Sequence, residues 1–237
     1  MQQTVVLVGH SAGDTDDRVA AWALEQGYNI HWCMPCTGEE MPELTDEVAA
    51  TVVYGGVYDV HQKSEHQFLR DELKWIESCL HNEVPTLGLC LGAQMMADVL
   101  GAPVTKHPDA RVEYGYFELQ PTLDAGDLFP EHFMVLEAHW EGWFNLPEGA
   151  VRLASTEHFP QQAFCYGERS YAFQFHPEAT PDMLARWVAR RNPERGSRVG
   201  GFSEARQLSD NKKYDAAMQT WLNRFLEGWL EPVAIAR

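Results

Sequence analysis

The sequence predicts an α/β fold: three layers around a central, mostly parallel sheet, with a smaller antiparallel β portion. Three observations carry this. Thr4 to Gly9 (Thr-Val-Val-Leu-Val-Gly) is a short apolar run rich in β-branched residues, the pattern of a strand buried on both faces. A polar turn, a helical stretch and two more such runs follow with short connections, the rhythm of a doubly wound parallel sheet. Further on, Val84 to Leu89 runs apolar into Gly88-Leu89-Cys90-Leu91-Gly92, and a helix-like run, Gln94 to Leu100, comes next. Strand, sharp turn and helix are thus written in one stretch.

The remaining elements follow in order. Arg18 to Gln26 has Val19, Trp22 and Ala23 on one face, and Gly27 closes it. Asn29 to Met34 and Val48 to Tyr54 are the second and third strands, the latter ending in Gly55-Gly56. Glu65 to His81 is a long amphipathic helix with Phe68, Leu69, Leu73, Trp75, Ile76 and Leu80 on its apolar face. After Gly101 the pattern turns β-rich. Glu113 to Leu119, Phe133 to Leu136, Val151 to Ser155 and Gln162 to Tyr166 are short strands, with antiparallel pairing expected for the first two. Thr180 caps a helix through Arg191 with Pro181 in its first turn, where a missing N–H costs nothing. Asn192 to Gly201 is a loop, and Asp215 to Leu230 is a last amphipathic helix. No repeat, low-complexity segment or linker divides the chain, so residues 1–237 are expected to form one domain.

Gly-x-Cys-x-Gly between a strand and a helix is the nucleophile-elbow pattern with cysteine in place of serine. The helix that follows points its N-terminus at the sulfur, favouring thiolate and any anion formed beside it. Tyr171-Ala172-Phe173-Gln174-Phe175-His176-Pro177-Glu178 reads as a strand that Pro177 stops, leaving His176 and Glu178 at its exit. A cysteine nucleophile needs a base, and the base needs a third group to hold its tautomer. Cys90, His176 and Glu178 supply all three.

The pairing of Gly-Leu-Cys-Leu-Gly-Ala-Gln with a later Gln-Phe-His-Pro-Glu resembles the double signature of the class I glutamine amidotransferases. Between them, His139-Trp140, Leu-Pro-x-Gly-Ala and Leu-Ala-Ser-Thr also resemble that family. The nearest likeness, from about Val5 to Glu178, is to stand-alone relatives of the amidotransferase domain of GMP synthase. The resemblance implies hydrolysis of the glutamine side-chain amide through a γ-glutamyl thioester on Cys90, with His176 as base and Glu178 orienting it. It implies oxyanion donors at the N–H groups of Gly56 and Leu91. Val57 stands where the family has the proline of a Gly-Gly-Pro turn. It further implies a glutamine pocket lined by Gln94, Ala138, His139 and Trp140, no cofactor, and ammonia delivered to an acceptor or a separate synthetase subunit. A γ-glutamyl peptide hydrolase on the same fold is the alternative enzyme. A catalytically silent regulatory or binding protein is the alternative outside enzymes, and the intact Cys-His-Glu set argues against it.

Composition narrows the setting. A formal charge of −17 argues against nucleic acid and anionic membranes as partners. No run of 18 apolar residues exists to span a bilayer, and the N-terminal residues lack a basic, signal-like segment. Five cysteines, an odd number, do not read as a disulfide framework, so a cytoplasmic location is expected. Oligomeric state, a homo-oligomer included, is not written in the pattern. Cys33-Met34-Pro35-Cys36 has no second pair, and its place after the second strand does not suit a redox motif, so two reduced cysteines are expected there. His61 and His66 lie on a polar helix start, and no His-x₃-His pairing occurs, so no metal site is expected. Arg190, Arg191, Arg195 and Arg198 form the one basic cluster, read as a solvated surface.

Overall fold

Eight strands form the central sheet of the computed structural model, which describes residues 3–11, 13–190 and 198–230. Its parallel half contains β1 (Thr4–Val8), β2 (Asn29–Cys33), β3 (Val48–Val53) and β4 (Thr86–Leu89). Two small antiparallel pairs stand apart: β5 (Val104–Lys106) with β9 (Glu141–Trp143), and β6 (Glu113–Glu118) with β8 (Met134–His139). The other strands are β7 (Gln120–Pro121), β10 (Ala150–Ser155), β11 (Ala163–Tyr166) and β12 (Ser170–Phe173). The sheet order is β2-β1-β3-β4-β12-β11-β10-β7. The first five strands are parallel and the last four, from β12 outward, antiparallel.

Alternation along β1 divides the core. Val5 and Leu7 face one side with α1 (Arg18–Glu25), α4 (Pro181–Arg190) and α5 (Glu204–Leu230). Val6 and Val8 face the other with α2 (Gln67–His81) and α3 (Leu91–Val99). Side chains of a strand alternate faces, so a strand covered on both sides is apolar throughout. The parallel strands all deliver their carboxyl ends to one edge, where β3, β4 and β12 are adjacent. That adjacency brings residues far apart in sequence together.

Three boundaries differ from the sequence reading, the first two for a polar reason. The last helix begins at Glu204, eleven residues before Asp215. Its added half buries Gln207, Asp210 and Asn211, and Asn211 donates to the Tyr116 hydroxyl at 2.8 Å, so no apolar period marks it. Strand β8 runs on to His139 because Glu137 and His139 are buried polar residues that hide the strand pattern. Helix α3 starts at Leu91, directly after the cysteine, rather than at Gln94. Thr180 does cap α4, accepting from the Met183 N–H at 3.2 Å. Among the described residues no helix is long and apolar enough to cross a membrane.

Candidate active site

Cys90 joins β4 to α3 with φ 51° and ψ −104°, a conformation that residues with a Cβ rarely adopt. Neighbouring strands hold it there. The Cys90 N–H donates to the Phe173 carbonyl at 2.9 Å, and the Gly92 N–H to the Tyr54 carbonyl at 3.2 Å. The glycines of the motif are required by close approach: a Cβ on Gly92 would lie 2.0 Å from the Val53 carbonyl oxygen, and one on Gly88 would lie 2.7 Å from the Gly92 carbonyl. As the first residue of α3, Leu91 has an N–H without an intrahelical partner, at the positive end of the helix dipole.

His176 stands past the end of β12, its N–H donating to the Leu136 carbonyl at 2.8 Å. Its Nδ1 meets Glu178 Oε1 at 2.8 Å, and its ring stands beside Cys90, both packed against Gly55. Burial pulls the imidazolium down. Glu178 and Cys90 outweigh that, and the net effect holds His176 well above its ordinary range. Trp187 packs edge-on against the ring, with centroids 4.9 Å apart. The turn is clamped from α1. The Arg18 N–H donates to the Glu178 carbonyl at 3.0 Å, and its guanidinium to the Pro177 carbonyl at 3.2 Å and to Asp215 at 2.6 Å. Asp17 caps α1 and accepts from the Tyr54 hydroxyl at 2.8 Å. Burial above all pushes its carboxyl up to about 7, with the charge of Glu178 adding to the rise.

Gly55-Gly56 passes between two histidines. A Cβ on Gly55 would lie 2.7 Å from His176 Cε1 and 3.2 Å from Cys90 Cβ. One on Gly56 would lie 2.9 Å from His10 Cβ and Cγ. His10, fully buried, bonds the Gly55 carbonyl through Nδ1 at 3.0 Å and Glu72 Oε2 through Nε2 at 2.8 Å. Burial lowers the His10 imidazolium and Glu72 raises it by more, so the net direction is up.

The residues expected to line a glutamine pocket share one small recess beside Cys90, bounded by Gly56, Leu91, Gln94, Ala138, His139 and Trp140. Two of them have structural partners. Gln94 Nε2 donates to the Glu141 carbonyl at 2.9 Å and to Gln174 Oε1 at 3.1 Å. The His139 ring bonds the Glu141 carbonyl at 2.8 Å and Glu113 at 3.0 Å. A larger cavity of about 350 Å³ also opens onto Cys90 and His176; Trp32, Tyr54, Trp187 and Met183 line it, and it shares Gly56, Ala138 and Trp140 with the small recess.

Several residues here had no sequence-based assignment. Glu113, Glu137 and His139 present ligand atoms within 4.8 Å of one another, as do Asp59, His61 and Glu141. The first trio comes from two paired strands, so no sequence spacing announces it. Its Glu113 already accepts from His139, from Thr156 at 2.7 Å and from Gln162 at 2.5 Å, whereas both carboxylate oxygens of Glu137 are buried without a hydrogen-bond partner. Burial, then Glu113, pushes the Glu137 carboxyl well above the usual range, toward the neutral acid. Glu72 could have been found: it sits between Leu69 and Ile76 on the apolar face of α2, where a charge needs a partner. Cys33 and Cys36 are free thiols, and burial above all pushes Cys33 up to about 11. Arg190 lies beside Gly13 and Arg198 is exposed. Arg191 and Arg195 lie outside the described residues.

A cysteine elbow on a parallel α/β sheet, with a buried histidine–glutamate pair at the next strand's end, defines a class of protein, and comparison with known proteins agrees. The model of the family "Glutamine amidotransferase class-I" matches residues 23–189. The chain belongs to that family. It is 30% identical over 188 residues to the glutamine amidotransferase-like protein YfeJ of Salmonella typhimurium, covering 76% of this chain and 77% of YfeJ. It is 38% identical over 144 residues to the glutamine-hydrolyzing GMP synthase of Christiangramia forsetii, spanning 59% of this chain but only 26% of that protein. A glutamine amidotransferase structure from Thermotoga maritima superposes with a TM-score of 0.87 at 25% identity, covering 98% of this chain and all of that one.

Proposed function

We propose that this protein hydrolyses a γ-glutamyl amide, with glutamine as donor, through a thioester on Cys90. The observation that carries the reading is His176, bonded to Glu178, standing beside Cys90 at a strained elbow. Cys90 sulfur attacks the side-chain carbonyl while His176 accepts the thiol proton. The oxyanion forms between the Gly56 and Leu91 N–H groups, whose residues both line the recess beside Cys90. His176 then returns the proton to the departing nitrogen as the C–N bond breaks. Water attacks the thioester with His176 again as base, releasing glutamate and restoring the thiol. Glu178 holds the imidazole and offsets its charge. Gln94, Ala138, His139 and Trp140 shape the γ-glutamyl recess, with main-chain groups doing most of the binding, since the Gln94 and His139 side chains are already engaged.

The ammonia passes to an acceptor or to a separate synthetase subunit, by analogy with the glutamine-hydrolyzing GMP synthases. The whole chain is read as one domain acting in the cytoplasm, a setting that suits its free thiols. The test is glutamate and ammonia release from L-glutamine by the purified chain, alone and with candidate synthetases. Absence of both release and Cys90 acylation would reject the reading.

One observation favours a second reading, hydrolysis of γ-glutamyl peptides or other substituted amides. The cavity of about 350 Å³ opens onto Cys90 and onto His176, the group that protonates the leaving nitrogen, and ammonia needs no such room. Its aromatic walls suit an amine with an apolar body. Comparing L-γ-glutamyl-phenethylamide with L-γ-glutamyl-ethylamide, whose amines differ little in basicity, isolates the cavity. This reading expects the larger amide to have the higher kcat/KM by about tenfold or more.

A further inference from the structure

His10 and Glu72 lie outside the Cys90–His176–Glu178 set, and both are withdrawn from solvent. Burying a charged pair is costly unless geometry and partners are good. Here the partner beyond the pair is the backbone of the candidate oxyanion loop. His10 Nδ1 stands 3.0 Å from the Gly55 carbonyl oxygen, an atom that can only accept, so Nδ1 carries the proton and donates it. Nε2 stands 2.8 Å from Glu72, which fixes the ring whether the shared proton sits on the imidazole or the carboxyl.

Peptide planarity gives this bond its consequence. The Gly55 carbonyl and the Gly56 N–H belong to one trans peptide group and point in opposite directions. Holding the carbonyl toward His10 therefore turns the Gly56 N–H away from His10. Both residues are glycines, the type most permissive of a peptide flip, and a flip would turn the carbonyl toward the side the N–H now faces. Gly56 also packs on His10 so closely that a Cβ there would lie 2.9 Å from the ring carbon Cγ. His176 and Cys90 close the opposite side at Gly55.

We propose that His10, braced by Glu72, is a positioning residue that holds the Gly55–Gly56 peptide with its N–H available to the oxyanion. The proposal rests on the thioester chemistry above and adds to it a device that keeps the oxyanion hole formed. Helix α2 supplies the brace and the loop after β1 supplies the strut, so the hole is built from three separate elements.

The experiment compares two reactions of one thiol in the full chain. Acylation by a γ-glutamyl amide passes through an oxyanion, whereas alkylation by iodoacetamide does not. In His10→Ala, kcat for the γ-glutamyl amide is expected to fall about 10²–10³-fold, the usual cost of one oxyanion donor, with KM little changed. The rate of Cys90 alkylation, read by intact mass, stays within a few-fold of wild type. A general loss of structure would depress both. Wild-type turnover in His10→Ala, or turnover and alkylation falling together, overturns the proposal. If His10→Ala does not fold, His10→Asn and His10→Leu carry the test. Asparagine brings an N–H to the place of Nδ1 and keeps most of the turnover, and leucine does not. Equal turnover of those two in folded protein overturns it as well. A wild type with neither turnover nor Cys90 acylation instead removes the underlying reading, which separates that failure from this one.

Discussion

Two buried histidine–glutamate pairs face each other across Gly55. In one, His176 leans on Glu178 at 2.8 Å and spends its other side on the Cys90 thiol. In the other, His10 leans on Glu72, also at 2.8 Å, and spends its other nitrogen on a backbone carbonyl. Both imidazoles are pushed upward by their carboxylates against the opposing effect of burial. The two pairs are alike in composition, burial and distance, so none of these separates a base from a strut. The partner of the second ring nitrogen does. A thiol can surrender a proton and a carbonyl cannot, so one pair can move a proton and the other can only hold a peptide in place.

The comparison is broken most severely at the thiol. Cys90→Ala and His176→Ala should each lower turnover by about 10⁶-fold, to near background, and the double variant should be little worse than either, because the groups act as a unit. Glutamate release measured at high enzyme concentration checks this. Additive losses would mean that the two residues serve different reactions.

The next effect separates the glutamates. Glu178→Gln should cost about 10²–10⁴-fold, since an amide favours the wrong tautomer of a base that must move a proton. Glu72→Gln should cost no more than about tenfold, the worth of one neutral hydrogen bond, because the His10 Nδ1–H still reaches the Gly55 carbonyl. Steady-state kcat values for the two variants side by side are the check, and a reversed order would exchange the roles assigned to the pairs.

Stability gives a smaller and slower signal. The folded-state value of His10 lies above its ordinary 6.5. Its contribution is therefore fully present below that ordinary value and is lost as pH rises through the folded one. Wild type should exceed Glu72→Gln in denaturant stability by most just below His10's ordinary 6.5, with the gap narrowing as pH rises above it. A gap that widens with pH would contradict a pair held by charge. The smallest effect belongs to the Cys-x-x-Cys. Cys33→Ser with Cys36→Ser should leave turnover within about twofold and bind no zinc, since neither residue lines the Cys90 site and serine keeps a donor for the Glu40 carbonyl.

The contrast between the pairs also shows what the sequence could and could not reveal. His176 and Glu178 were legible because they are two residues apart, directly behind an apolar run, and Cys90 because two glycines frame it. Both sit in local patterns. His10 and Glu72 are 62 positions apart and meet only because the loop after β1 and the inner face of α2 converge. The parallel sheet was readable from β-branched runs, and the two core faces from their alternation. The first half of α5 and the end of β8 were not, since both bury polar side chains rather than an apolar period. Gln94 and His139 do lie beside Cys90, but their side chains are tied to Glu141, Gln174 and Glu113, partners that no spacing announces. Sequence pattern reports burial of apolar groups well. It is nearly blind to buried polar networks, whose members are chosen pairwise across the fold.

The central claim is that Cys90 forms a covalent γ-glutamyl bond with His176 as its base. The most direct measurement is intact mass after treatment with a diazo-ketone glutamine analogue, with the labelled residue mapped by peptide digestion. The account predicts one equivalent on wild type, all of it on Cys90, none on Cys90→Ala, and slow labelling of His176→Ala that accelerates with pH as an unassisted thiol ionises. One equivalent on Cys90→Ala would place the nucleophile elsewhere and contradict the account.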